Sequence, residues 1–431
     1  MKIVHIIPGS GGTFYCQNCM RDNELIRSLR SLGNEVFMVP MYLPLNVGGR
    51  GLMGDTPVFY GAINIYLKEK LPFYRHAPMW LERLFDKETF LQLAAKRSES
   101  TRASGLEELT ISMLDGEEGR QATELDHLIQ YLKKEIKPDV VHLSNALLLG
   151  LARRLKLDLE AAVVCSLQDE NEWIDPMRDS YQELVWHKMA ERALDIDAFI
   201  AASLYYAQLS EKKLNIPSQK IHVVYGGIDF ANYDVAPLTF NPPVIGYLCR
   251  MSEYFGLGII CDAFILLKQD PQFQNLKLYL MGGYTADDKG FINKMQKKFS
   301  RNGILNDVTI FENFDIEHRI KFLTSLSLLS VPVPGGEAFG AYQIEALAAG
   351  VPIVQPNVGG YPEFIEATGG GILYEPNDAK HLARALSSLL LNPDRIRQSG
   401  KNGRETVLKH YSMKNMAENI IKVYKSILNK K

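Results

Sequence analysis

KIVHIIPGSGGTFYCQNCMRDNELIRSLRSLGNEVFMV, residues 2–39, decides the fold class. Lys2–Ile7 is a short apolar run of the kind that forms a buried strand, and Pro8-Gly9-Ser10-Gly11-Gly12 punctuates it with a glycine loop. Leu25, Ile26, Leu29 and Leu32 then recur with the spacing of one helix face, and Gly33 stands where a C-terminal cap belongs. Glu35–Val39 is a second strand. Strand, loop, helix, strand is the crossover unit of a parallel sheet.

The same rhythm runs outward along the chain. Residues 124–136 have helical period, and Pro138-Asp139 leads into the strand Val140–Leu143. Ala161–Leu167, Ala198–Ala202 and Ile221–Val224 read as further strands, with a long helical segment at 181–194. A second series starts near residue 243, with strands Val244–Leu248, Lys277–Met281, Val308–Phe311, Leu328–Val331 and Pro352–Val354. Helices at 258–268, 289–300 and 340–349 lie between them. Val235–Pro243, VAPLTFNPP, carries three prolines and no charge, and reads as a linker. The reading is α/β: two doubly wound, Rossmann-like domains, 1–236 and 243–411. An amphipathic helix over about 412–431 packs back on the first. Residues 41–120 break the rhythm and read as an insertion.

Composition agrees and narrows the function. The chain has 431 residues, 48 Lys+Arg against 50 Asp+Glu, and a net charge of −2, so it lacks the basic surface that general nucleic-acid binding requires. Five cysteines do not make a disulfide framework. Neither a signal peptide nor a membrane span is legible, and the expected location is the cytoplasm.

The richest chemistry is in Pro334–Val354, PGGEAFGAYQIEALAAGVPIV. Glu337 stands before a Phe339-Gly340-Ala341 turn, and Glu345 two helical turns beyond it. A glycine loop ahead of a helix offers unpaired backbone N–H groups to an anion or a polyhydroxyl ligand. Carboxylates suit sugar hydroxyls because they accept several hydrogen bonds. Glu345 lies among Ile344, Ala346, Leu347, Ala348 and Ala349, where a charge needs a partner. The alternative is a glutamate on the wet face of the helix and a loop glutamate placed for the helix dipole.

This segment resembles the E-x7-E motif of the retaining glycosyltransferases with the GT-B fold, in particular glycosyltransferase family 4. The similarity continues in Asn357–Glu363 (NVGGYPE), in Gly369–Pro376 and residues 377–394, in Val223–Asp229 (VVYGGID), in the Gly246–Gly256 loop, and more weakly in Gly11-Gly12 and Pro138–His142 (PDVVH). It covers most of the chain outside residues 41–120. The resemblance implies a GT-B architecture, two domains facing a central cleft, and transfer of a sugar with retained anomeric configuration from a UDP-, GDP- or ADP-sugar. The acceptor would be a hydroxyl of a glycan, lipid or small molecule. It further implies that Glu337 binds the donor sugar, that Phe339, Gly340 and Ala341 hold sugar and phosphate through their backbone, that Glu345 takes the ribose, and that Arg250 pairs with the diphosphate. Neither a metal nor a separate cofactor is implied. One departure stands out: Phe255 occupies the position of the family's lysine. A cation on the leaving diphosphate would be worth about 3 kcal/mol by comparison with oxyanion donors. Another cation, a different donor, or a slow or inactive enzyme that still binds the nucleotide sugar would each account for Phe255. A smaller departure is Gly226, where the family usually has asparagine.

In the first domain, Gly11, Gly12, His142 and Asp169 are candidates for the donor or acceptor. All four lie beyond or at the ends of strands, where open α/β sheets bind ligands. The competing readings are a tight turn for the glycines, a packed histidine for His142, and helix capping for Asp169. Cys16-x-x-Cys19 reads as structural thiols, with redox or metal roles as alternatives. Asp195-x-Asp197 precedes a strand at its amino end and reads as a junction. Lys68–Arg83, in the insertion, mixes aromatic and basic residues and suggests either an acceptor or peripheral membrane surface or a self-packed helical hairpin or oligomer contact.

Overall fold

The structure, a computed structural model, describes residues 1–8, 15–41, 105–238 and 240–429. Gly11, Gly12 and the segment Lys68–Arg83 lie outside the described residues. The chain divides into two compact units: Met1–Gly12, Asn18–Tyr225 and Met416–Lys431 form the first, and Thr13–Gln17 with Gly226–Asn415 the second.

Each unit is built on a six-stranded sheet. In the first, β1 (Lys2–Ile7), β2 (Glu35–Pro40), β3 (Val140–Leu143), β4 (Ala162–Leu167), β5 (Ala198–Ala201) and β6 (Ile221–Val223) lie in the order β2-β1-β3-β4-β5-β6. All pairs are parallel, with Ile3 in register with Val36 on one side and Val140 on the other. Every residue of β3 and β4 is buried, which is why both read as continuous apolar runs rather than alternating ones. In the second unit, β7 (Val244–Leu248), β8 (Lys277–Met281), β9 (Val308–Phe311), β10 (Leu328–Leu329), β11 (Ile353–Pro356) and β12 (Gly371–Tyr374) take the order β12-β11-β10-β7-β8-β9, again all parallel. The strand order reverses between β1 and β3 in one sheet and between β7 and β10 in the other. Ligands of such sheets bind beyond the carboxyl ends of the strands at that reversal.

Crossover helices cover the sheets through one apolar face each. Lys289–Arg301 buries Ile292, Met295 and Phe299 and leaves its lysines outside. Several start on a side-chain cap: Ser203 accepts from the Tyr206 N–H at 3.1 Å, Asp315 from His318 at 2.9 Å and Asp378 from His381 at 2.8 Å.

The structure adds to the sequence reading in three places. The strand β12 was not legible. The helix expected over 124–136 is α-helical from Ala122 to Tyr131 and widens to a π-turn over Leu132–Ile136. Residues 107–115, taken with the insertion in the sequence, form a helix packed into the first unit. Arg192 ties its end down, donating to the carbonyls of Leu114 at 3.0 Å and Asp115. Gly150 lets the chains approach, because a Cβ there would lie 2.0 Å from the Met113 carbonyl oxygen.

Candidate active site

The second unit concentrates polar groups at its sheet reversal. Arg250 follows β7, and the loop Pro334–Gly340 comes after β10, its immediate neighbour. Two glycines shape this loop. Gly336 has φ +74°, and a Cβ on it would lie 2.6 Å from the Gly359 Cα, so the two Gly-Gly turns touch backbone to backbone.

Glu337 is buried, at 4 % exposure. Its Oε2 accepts from Tyr361 at 2.7 Å and from the Tyr342 hydroxyl, and its Oε1 accepts from Gln17 Nε2 at 2.8 Å. Burial pushes its carboxyl up from the usual range, and the three hydrogen bonds oppose the rise. Tyr342 and Tyr361 are themselves buried, with their hydroxyl oxygens 3.0 Å apart on the same carboxylate oxygen, so they fix the carboxylate plane. Three residues on, Gly340 (φ +79°) opens the helix Ala341–Ala348, and the Ala341 N–H donates to Gln17 Oε1 at 2.7 Å. Phe339 packs edge-on against Phe364 and stacks on Tyr411.

Glu345 is 3 % exposed, so the wet-face alternative is ruled out. Arg319 Nε donates to its Oε2 at 3.0 Å, and the Tyr15 hydroxyl donates to Oε1 at 3.1 Å. Arg319 also donates to the Phe314 carbonyl at 2.9 Å. This is the partner that a charge inside an apolar helix requires.

Arg250 donates from Nε to Asp288 Oδ2 at 3.0 Å and from Nη2 to Thr285 Oγ1 at 3.1 Å. Asp288 is held in turn by the Thr285 N–H and hydroxyl. Phe255 is not a side chain waiting at a site. It is buried, stands edge-on to Tyr254, and its carbonyl accepts from the Tyr247 hydroxyl at 3.1 Å. Gly256 follows with φ +74°, pressed against the Pro332 carbonyl.

The first unit has its own polar cluster at the carboxyl ends of β3 and β4. Ser144 donates to Asp22, and Gln168 Nε2 donates to Ser144 at 3.1 Å. Glu170, pushed up by burial, accepts from the N–H groups of Ala146 (2.9 Å) and Gln168 (3.0 Å) and from Tyr206 (2.7 Å). Asp169 sits between them in the left-handed region, φ +55°, rare for a residue with a side chain. It makes no side-chain cap to the helix it precedes. His142 is wholly buried: Nδ1 meets the Tyr424 hydroxyl at 2.6 Å and Nε2 meets Ser166 at 2.7 Å. Both ring nitrogens are engaged, and burial holds its pKa well below the ordinary imidazole value.

Glu337, Phe339, Gly340, Ala341 and Glu345 therefore form one cluster within the second unit, with Arg250 at the same sheet reversal. His142 and Asp169 belong to the first unit. Tyr15, Gln17, Arg319, Tyr342, Tyr361, Thr285 and Asp288 were not picked out in the sequence. The apolar setting of Glu345 demanded a partner but could not say which. Among the described residues no group of three His, Cys, Asp or Glu is placed to hold a metal ion, and no helix is long and apolar enough to cross a membrane. Cys16 and Cys19 are half-buried, and Cys165, Cys249 and Cys261 are buried.

Comparison with known proteins bears on the family and the fold. Residues 234–406 match the profile of "Glycosyl transferases group 1", and residues 108–232 that of "Glycosyltransferase Family 4". The alpha-maltose-1-phosphate synthase of Mycolicibacterium smegmatis is 32% identical over 232 residues, covering 48% of this chain and 57% of that protein. A D-inositol 3-phosphate glycosyltransferase of Corynebacterium jeikeium is 25% identical over 54% of this chain and 50% of its own. The chain thus spans about half the length of these curated relatives. Among solved structures, sucrose-phosphate synthase from Thermosynechococcus elongatus superposes with a TM-score of 0.73 at 16% identity, covering 100% of both chains. Anabaena HepE, solved in complex with UDP-glucose, gives 0.69 at 16% identity, covering 99% of this chain and 100% of its own. At such identities the likeness shows the fold. Both profile matches place the chain in the group 1 glycosyltransferases, and its two parallel six-stranded sheets and structural neighbours give it the GT-B fold.

Proposed function

We propose that the protein transfers a sugar from a nucleotide-diphosphate sugar to an acceptor hydroxyl, with retention at the anomeric carbon. The observation that carries this reading is the pair of buried carboxylates, Glu337 and Glu345, on either side of a glycine turn and a helix N-terminus. Glu337 is clamped from behind by two tyrosines and turns its Oε1 to a hydrogen-bond donor, as a sugar hydroxyl requires. The N–H groups at the start of Ala341–Ala348 suit a sugar oxygen or a phosphate. Glu345, fixed on Oε2 by Arg319, accepts a hydroxyl on Oε1, which Tyr15 supplies in the structure and a ribose would supply in the complex. Arg250, at the sheet reversal, is the cation for the diphosphate. It would leave or share Asp288 as the leaving group gains charge.

The donor is a UDP-, GDP- or ADP-sugar. Anabaena HepE, solved with UDP-glucose, lends support to such a donor. The acceptor, a glycan, lipid or small molecule, would meet the first unit beside Asp22, Ser144, Gln168 and Asp169. The cytoplasm is the expected location, and the chemistry calls on no metal.

Phe255 favours a second reading, a protein that binds the nucleotide sugar and does not transfer it. Titration of UDP, GDP, ADP and their common sugars, followed by thermal shift, tests the donor site. A ligand at a hundred times its dissociation constant adds about 2.7 kcal/mol to the native state. The proposal expects one nucleotide series to raise the melting temperature of wild type but not of Glu345→Ala. Donor hydrolysis in the same sample, transfer of the sugar to water, separates a transferase from a protein that only binds. Absence of any shift refutes the donor site.

A further inference from the structure

Both glutamates of the proposed donor site already have a partner from one short stretch near the start of the chain. Thr13–Gln17 groups with the second unit and not with β1, which it follows in sequence. The Gln17 carboxamide makes two bonds at once: Nε2 donates to Glu337 Oε1 at 2.8 Å, and Oε1 accepts from the Ala341 N–H at 2.7 Å. A sugar hydroxyl between the same two groups would do the same, donating to the carboxylate and accepting from the amide. Two residues earlier, the Tyr15 hydroxyl donates to Glu345 Oε1 at 3.1 Å, the oxygen that Arg319 does not take. Tyr15 is held there. It is 3 % exposed, its N–H donates to the Gly282 carbonyl at 2.7 Å, and the Arg319 guanidinium lies 5.5 Å from its ring centre.

We propose that Tyr15–Gln17 is an internal occupant of the donor site, with the Gln17 amide standing in for a sugar hydroxyl and the Tyr15 phenol for a ribose hydroxyl. This rests on the reading of Glu337 and Glu345 as donor ligands. A nucleotide sugar then binds only to the fraction of molecules in which the segment has let go, and its apparent affinity is reduced by that fraction. The site is self-inhibited until donor displaces the segment. The two side chains act on different parts of the ligand: Tyr15 competes with the nucleoside, Gln17 with the sugar.

Calorimetric titration of full-length wild type, Gln17→Ala and Tyr15→Phe with UDP, GDP, ADP and the corresponding glucose or mannose donors tests this. Tyr15→Phe keeps the buried ring and removes only the hydroxyl. Gln17→Asn is the second variant at that position, too short to bridge both groups while remaining polar. The expected result is binding about tenfold tighter, the size of one charge-assisted hydrogen bond given up by the competitor. Tyr15→Phe gains for the nucleoside diphosphate and the nucleotide sugar alike. Both Gln17 variants gain for the nucleotide sugar and not for the nucleoside diphosphate. Unchanged or weaker binding in all three variants, with wild type still binding a nucleotide, overturns the internal occupant and leaves the donor reading standing. No nucleotide binding by any of the four proteins overturns the donor reading and the inference together.

Discussion

Removing the charge of Arg319 should cost the second unit much of its stability, even though the residue sits on a loop-flanked helix far from Glu345 in sequence. Both side chains of this ion pair are 4% exposed, and the Nε–Oε2 distance is 3.0 Å. In Arg319→Met the Glu345 carboxylate would keep only the Tyr15 hydroxyl, in a place water does not reach. Breaking a buried pair from one side costs about 3–5 kcal/mol, because the remaining charge is left desolvated. For units of this size each kcal/mol moves the melting temperature by about 2–4 °C, so a drop of roughly 6–20 °C is expected. The double variant Arg319→Met/Glu345→Gln removes both charges and should recover most of the loss. Melting followed by circular dichroism on wild type, both single variants and the double gives the coupling directly. A single variant within about 2 °C of wild type, or a double variant that loses the sum of the singles, would refute the argument.

Three further outcomes follow from other parts of the molecule. Burial lowers the pKa of His142 and of His5, so the unfolded chain binds protons that the native one does not. The stability this represents is present above about pH 6.5 and is lost as pH falls below it, which urea denaturation between pH 8 and 5.5 should show. His5 is 1 % exposed with neither ring nitrogen hydrogen-bonded, so His5→Leu should raise stability by about 1–2 kcal/mol and flatten the acid side of that profile; a loss of stability would contradict this. Gly336→Ala would put a Cβ 2.6 Å from the Gly359 Cα at a φ of +74°, so it should lower the melting temperature and abolish the nucleotide-induced shift, and a variant that still responds to nucleotide counts against the loop's role.

The sheets were legible because their central strands, Lys2–Ile7, Val140–Leu143 and Val244–Leu248, are buried on both faces. These three and Lys277–Met281 appear in the structure with the bounds that their apolar runs suggest. β12, Gly371–Tyr374, was not, because a four-residue edge strand with three half-buried residues and a leading glycine carries little hydrophobic signal. Of the candidate site, the glutamates and the glycine turn could be read because they lie within one local motif. Their partners could not. Arg319 is 26 residues from Glu345, Asp288 is 38 from Arg250, and Gln17 is 320 from Glu337, so only the fold brings them together. His142 shows the opposite limit. Its place at the end of a strand was plain from the sequence. Its engagement by Tyr424 and Ser166 was not, since those partners come from a distant helix and a neighbouring strand.

Phosphorus NMR of the protein incubated with UDP-glucose, GDP-mannose and ADP-glucose tests the central claim most directly, beside the variant Glu337→Gln. With no acceptor added the sugar passes to water, and this hydrolysis shows as loss of the sugar-linked β-phosphate signal and growth of free nucleoside diphosphate. The account predicts that wild type converts one of these donors, and that Glu337→Gln converts it at least about a hundredfold more slowly, as expected for a group that positions the reacting sugar. Donors left intact by wild type, or a Glu337→Gln variant as fast as wild type, would contradict it.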